Sequence, residues 1–277
     1  MTRTVLVPTS LVREAEDKRE ATRKLGYVAR AAAVFRVDNL HVFSDPAGEG
    51  DWGGGFVETV LRYAATPPYL RKEVWDERDE LEYAGVLPPL RLSPRTGSGS
   101  DDSGSSRQGI VTRVGSDGRV RVNCGLQHPI SLHVPDGMDV SEGERVTVRV
   151  SSRRPVRARI VDERPPLVVD RLGLDEALGR EDAGVRIATS RFGTPLTLGR
   201  LERLTARIAA DGFTVAFGSP GRGLPDIVDA TPDADGVVEP DETGFDRWLN
   251  TVPNQGSATV RTEEAMFATL APLSLTE

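Results

Sequence analysis

Five short runs between residues 109 and 161 alternate apolar and polar side chains: 109–114, 118–122, 130–134, 145–150 and 156–161. A period of two sends every second side chain to one face, so each run is a strand with one buried side. Gly-Asp turns separate them, and five such strands within sixty residues predict a small antiparallel barrel. Neither flank has this period. Before it, residues 5–8 form a buried strand, 11–35 one long helix or two joined near Gly26, and 37–43 a second strand. After it come strand 185–188, amphipathic helix 196–210, strand 213–217 and a short apolar strand around Trp248 and Leu249. Strands alternating with helices build parallel sheets. The barrel therefore interrupts an α/β domain made of both ends of the chain.

The expected boundaries follow. Residues 1–92 and 165–277 make the discontinuous α/β domain, 93–106 a flexible linker of Ser, Gly, Asp, Thr and Pro, and 107–164 an OB-like barrel. Within the first part, 46–55 is a Gly-rich loop, and 56–65 is an amphipathic helix stopped by Pro67-Pro68. Pro-punctuated segments 69–72 and 87–91 are not helix interiors, and 231–242 is an acidic loop.

Composition narrows the classes. No apolar run approaches membrane-spanning length, the N-terminus lacks the apolar core of a signal peptide, and the single Cys124 has no partner for a disulfide. A soluble, cytoplasmic protein with no membrane partner is expected. Lys occurs only three times, and the net charge is −7. That balance suits a high-salt cytoplasm, or GC-rich coding that favours Arg. His41, His128 and His133 lack ligand spacing, so no metal is expected. There is no Gly-x-Ser-x-Gly elbow, no Gly-Lys-Ser/Thr ending of a phosphate loop and no dinucleotide fingerprint.

What the α/β part does contain is three strands ending in Gly- and Pro-rich loops, at Thr189, Gly218 and Asn250. In an open parallel sheet ligands bind outside the carboxyl strand ends, so convergence of these loops makes one pocket, built mainly of backbone. The last loop, 251–257, leads to a helix that Thr262 could cap, with Glu263 and Glu264 in its first turn.

The runs Thr189-Ser190-Arg191-Phe192-Gly193, Phe217-Gly218-Ser219-Pro220-Gly221-Arg222-Gly223 and Asn250-Thr251-Val252-Pro253-Asn254-Gln255-Gly256, with 259–265, resemble the SPOUT superfamily of knotted RNA methyltransferases. Nearest in pattern is its archaeal and eukaryotic family with an OB-like insert, and segments 11–18 and 66–72 extend the likeness along nearly the whole chain. The resemblance implies a trefoil-knotted parallel sheet with helices on both faces, S-adenosylmethionine bent in the cleft, and a homodimer with its active site at the subunit interface. It implies cofactor contacts at Thr189, Gly218, Ser219, Pro220, Asn250, Thr251, Val252, Pro253, Gln255, Gly256 and Val260. Arg30 falls on the Arg of an Asn-x-x-x-x-x-Arg run found in the ribose-methylating branch, although Lys24 stands at the Asn position.

Methylation of a ring nitrogen of uridine or pseudouridine in structured rRNA or tRNA calls for a guanidinium beside the developing anion, and Arg30 and Arg191 are the candidates, with Arg261 a third. Glu264 could orient a loop, act as a base, or simply complement the helix dipole. A non-catalytic knotted RNA-binding factor and a ribose 2'-O-methyltransferase are the alternatives. Residues 107–164 hold eleven Arg, no Lys and seven Asp plus Glu, a net +4 against −11 for the rest. RNA is therefore expected on the insert, at Arg119, Arg121, Arg149, Arg153, Arg154, Arg157 and Arg159. The alternative is that these arginines only solvate the outer barrel face.

Overall fold

The computed structural model describes residues 1–53, 55–92, 105–233, 236–238 and 243–275. It divides into two compact units: Met1–Ala65 with Arg78–Leu90 and Leu167–Glu277, and Thr66–Glu77 with Arg91–Pro166. Most of the expected linker, 93–104, lies outside the described residues, as do 234–235 and 239–242 of the acidic loop.

The first unit opens with β1 (Thr2–Pro8), α1 (Lys18–Val34), β2 (Asn39–Phe43) and α2 (Phe56–Ala65). Helix α2 coincides with its predicted span, because its buried residues Phe56, Val57, Val60, Leu61, Ala64 and Ala65 recur at helical spacing and prolines follow. Helix α1 is shorter than the expected 11–35. The Asp17 side chain accepts the Glu20 N–H at 2.6 Å and sets the start, while residues 9–14 are turns that bury Leu11 and Val12. Nor is the helix broken at Gly26: Pro88 lies where a Cβ would be, at 2.6 Å.

In the second unit the Pro-rich 68–72 segment forms a 3-10 turn running into a one-turn helix, α3 (Arg71–Val74). Pro68 is tolerated because it stands at the first turn, where its missing N–H costs nothing. Five antiparallel strands follow: β3 (Ser105–Val114), β4 (Arg119–Asn123), β5 (Ile130–His133), β6 (Arg145–Arg153) and β7 (Val156–Val161). Their order is β5-β4-β3-β6-β7. The first three strands form a meander and β6 returns beside β3, a Greek key. The sheet curls nearly closed around Val111, Val120, Val122, Val146, Val148 and Ile160, which are the apolar half of the alternation.

The first unit resumes with β8 (Val168–Arg171), α4 (Leu174–Leu178), β9 (Val185–Pro195), α5 (Leu198–Asp211), β10 (Gly212–Ala216), α6 (Leu224–Ile227), β11 (Arg247–Asn250) and α7 (Thr262–Leu273). Its sheet runs β11-β9-β10-β1-β2-β8, with every pair parallel. Strand β9 does not end at Thr189 as expected. Trp248 pairs with Ala188 but Leu249 pairs with Thr194, so residues 189–193 bulge from a strand that continues to Pro195. Among the described residues no helix is long and apolar enough to cross a membrane.

The outer edge of this sheet is pinned by Arg186 and Asp246. The Arg186 backbone N–H and guanidinium donate to the Asp246 carboxylate at 2.8 Å, 3.2 Å and 2.8 Å. The side-chain bonds from Arg186 hold the Asp246 carboxyl below the usual carboxylate range, against the upward push of burial. A depressed folded pKa contributes stability above the unfolded value, about 4, and loses it as pH falls through the folded value. Asp246→Asn should therefore cost about 1–2 kcal/mol at neutral pH, since the pair is partly solvated. In urea unfolding across a pH series the deficit should shrink to nothing in acid; a deficit independent of pH would refute this.

Candidate functional site

Because β11, β9 and β10 are neighbours, the segments leaving their carboxyl ends meet. They enclose a cavity of about 220 Å³ lined by 189–192, 217–226, 249–252 and 258–260, with Gln255, Thr262 and Ala265. A second cavity, beside Trp52 and Arg171, holds only about 10 Å³, and the strand-end cleft is the candidate site.

Side chains tie the three walls together. The Thr189 hydroxyl donates to Ala216 O at 2.8 Å, joining β9 to β10. Asn250 donates through Nδ2 to Arg191 O at 3.0 Å and accepts the Val252 N–H on Oδ1 at 3.1 Å, joining the bulge to the last loop. Thr251 and Thr269 hydroxyls meet at 2.8 Å and hold that loop to α7. At Gly218 a Cβ would lie 2.5 Å from Leu224 N, so only glycine lets the chain turn there. Thr262 is not the expected cap: it is the first residue of α7, and its hydroxyl donates to Gly218 O at 2.9 Å. The helix start is closed instead by Glu264, whose carboxylate accepts the Arg261 N–H at 2.9 Å.

Behind the middle wall lies a group that the sequence does not single out. Arg222 Nε donates to both Asp45 oxygens at 3.2 Å and 3.1 Å, and Asp45 is only 3% exposed. The bond to Asp45 raises the Arg222 pKa. The Asp45 N–H donates to Thr9 Oγ1 at 2.9 Å, and Ser10 Oγ donates to Ser219 Oγ at 3.1 Å. The turns after β1 and β2 thus brace the 217–223 segment from behind.

Of the sequence-derived cofactor residues, Thr189, Gly218, Ser219, Pro220, Asn250, Thr251, Val252, Gln255 and Val260 line the cleft, while Pro253 and Gly256 stand outside its lining. Arg191 also lines it, exposed, with its guanidinium 4.6 Å from the Phe192 ring centroid. Arg30 is exposed on α1, and neither it nor Glu264 lines the cleft. In the second unit, Arg119 and Arg121 lie on β4, Arg149 and Arg153 on β6, Arg157 and Arg159 on β7, and Arg154 in the turn between the last two. The side chain of Arg153 lies outside the described residues.

The sequence profile of the family described as "Putative RNA methyltransferase" matches residues 2–273. An uncharacterized protein of Halobacterium salinarum is 69% identical over 283 residues, covering all of both chains. A second, from Haloarcula marismortui, is 67% identical over 282 residues, again covering both completely. The 28S rRNA (uridine-N(3))-methyltransferase of Homo sapiens is 32% identical over 303 residues, with 98% of this chain aligned to 77% of that protein.

Asp45 is buried while the Arg222 side chain is 24% exposed, so removing Arg222 leaves a buried but partly hydratable charge, at a cost of about 2 kcal/mol. Arg222→Ala should lower unfolding free energy by about that much, and the Asp45→Asn, Arg222→Ala double variant should lose less than the sum of the singles. Additive losses in urea unfolding would show that the two side chains do not act as a pair.

Proposed function

The chain belongs to this RNA methyltransferase family, and on that premise we propose that it uses S-adenosylmethionine to methylate N3 of a uridine or pseudouridine in structured ribosomal RNA. The observation that carries the proposal is the cleft at three neighbouring strand ends, lined mostly by uncharged residues. The human relative's name supplies the acceptor atom.

The cleft suits the methyl donor. Leu249, Val252 and Val260 offer apolar walls for a planar base, Ser219, Thr251 and Gln255 offer neutral polar atoms, and Gly218 presents bare backbone. When bound, S-adenosylmethionine supplies a methyl group on a positively charged sulfur. The protein's part is alignment and charge control. Uridine N3 becomes nucleophilic only as its proton leaves, which places negative charge on the ring. Arg191, at the mouth of the cleft, would stabilise that charge.

Three finer features belong to the same proposal. The Greek-key strand order supports an OB-like identity for the barrel. The position of β11 beside β9 rather than β10 supports a threaded, knotted last segment. A homodimer is supported by Tyr27 and Val34 of α1 and Phe267 of α7, exposed apolar residues on helices joined by the Phe35–Phe267 ring contact at 5.4 Å. Arg30 shares the face of Tyr27 and Val34, three and four residues away, so a second copy docked there would carry Arg30 towards a neighbouring cleft. RNA would be gripped by the net-positive insert, and the enzyme would work in the cytoplasm.

Calorimetry should detect S-adenosylhomocysteine binding to the unaltered protein; no heat at high micromolar ligand would sink the donor site. Arg191→Ala and Arg30→Ala should each cut methyl transfer by about 10²–10³-fold while leaving that binding intact. Full activity in both would remove the two guanidinium groups from the mechanism.

A further inference from the structure

We infer that RNA crosses the second unit over β3, β4 and β5, centred on a guanidinium pair, Arg113 and Arg121, that no carboxylate among the described residues pairs with. The inference rests on the RNA reading above and narrows it to one face of one sheet. The register sets Arg113 directly opposite Arg121. Opposed side chains of an antiparallel pair lie about 4.5–5.5 Å apart at Cβ, where like charges repel. Both arginines are exposed. Strands β3, β4 and β5 contain no Asp or Glu. The carboxylates nearest these strands are held by other groups: Asp117 accepts the Arg119 N–H at 3.2 Å, Glu142 the Val114 N–H at 3.1 Å and Glu73 the Asn123 side-chain amide at 3.3 Å.

Arg119, two residues before Arg121 and on the same face of β4, adds a third cation. Its guanidinium donates to Ser131 Oγ at 3.1 Å and to His133 Nε2 at 2.7 Å, which fixes it across β5. Arg121 lies opposite Ser131, and Arg119 opposite His133. The result is a strip three strands wide whose own residues include no Asp or Glu.

The other side of the sheet provides the contrast. Arg149 and Arg159 face each other across β6 and β7 in the same way. There, Glu163 bonds Arg149 at 2.7 Å and offsets the repulsion from within the chain. At Arg113–Arg121 the compensating anion has to come from outside. Arginines two residues apart along a strand are about 6.8 Å apart, a spacing comparable with successive phosphates of an extended single strand. Small barrels of this type take single strands on such tracks. Arg113 and the arginines of β4 look no different in sequence from those of β6 and β7, because neither register nor pairing is visible in composition.

The test is fluorescence anisotropy of a labelled oligouridylate titrated with the full-length protein over a range of salt. Each phosphate contact on a single strand contributes about 0.7 to the slope of log affinity against log salt. The Arg113→Gln, Arg121→Gln double variant should therefore flatten the slope by about 1.4, whereas Arg149→Gln should leave it unchanged. Melting of the double variant should stay level or rise, since a repulsion is removed; binding lost together with a lower melting temperature would assign the pair to structure and overturn the inference. A slope that survives the double variant but falls in Arg154→Gln, Arg157→Gln would move the track to β7 and leave RNA binding standing. No binding by the unaltered protein at any salt would overturn the RNA reading and the track with it.

Discussion

The approach of β11 to β9 is the constraint on which the cleft depends. Gly193 packs so closely that a Cβ would lie 2.6 Å from the Leu249 carbonyl carbon. That backbone-to-backbone contact lets Leu249 and Asn250 pair with Thr194 and Pro195, five residues beyond where the register would otherwise fall. The surplus, 189–193, has to leave the sheet, and it leaves on the side where β10 ends. A side chain at position 193 would separate the strands, restore a shorter β9 and open the cleft. Arg186 and Asp246, just before the pairing begins, hold the two chains together from the other end.

Once the strand ends are fixed, hydrogen bonds between segments help set the shape of the walls. Thr189 to Ala216, Thr262 to Gly218 and Asn250 to Arg191 each link two different segments. The Thr189 bond is buried, so leaving it unmade would be costly, and together the three hold the walls against one another. The Asp45–Arg222 pair extends this bracing to the turns behind the sheet. Preorganisation of this kind is what methyl transfer needs, because alignment rather than strong chemistry is the protein's contribution.

The second unit follows a different logic. Its core is the apolar half of an alternation broken by bulges near Thr112 and Ser151, and its outer face is what the polar half supplies. Arginine supplies most of it. Where a carboxylate lies within reach, as Glu163 does for Arg149, the face is neutralised internally. Where none does, positive charge stays available to a partner. The segment around Tyr69 joins this unit through the Tyr69 hydroxyl on Gln108 O at 2.9 Å. A Pro-rich stretch gives no sign of that packing in its own sequence.

Local patterns determined the elements. Alternation specified the five barrel strands, helical spacing with terminal prolines specified α2, and the Gly- and Pro-rich runs after Ala188, Phe217 and Leu249 marked the cleft, because each signal is carried by neighbouring residues. Whatever depends on pairing between distant segments was decided only by the tertiary structure. The start of α1 rests on a single capping carboxylate, Asp17, within a continuous run of helix formers. The extension of β9 to Pro195 rests on a strand some fifty residues later. The role of Asp45 rests on Arg222, 177 positions away. Residue types set which local structures were affordable, while register and long-range contact chose which of those residues would face one another.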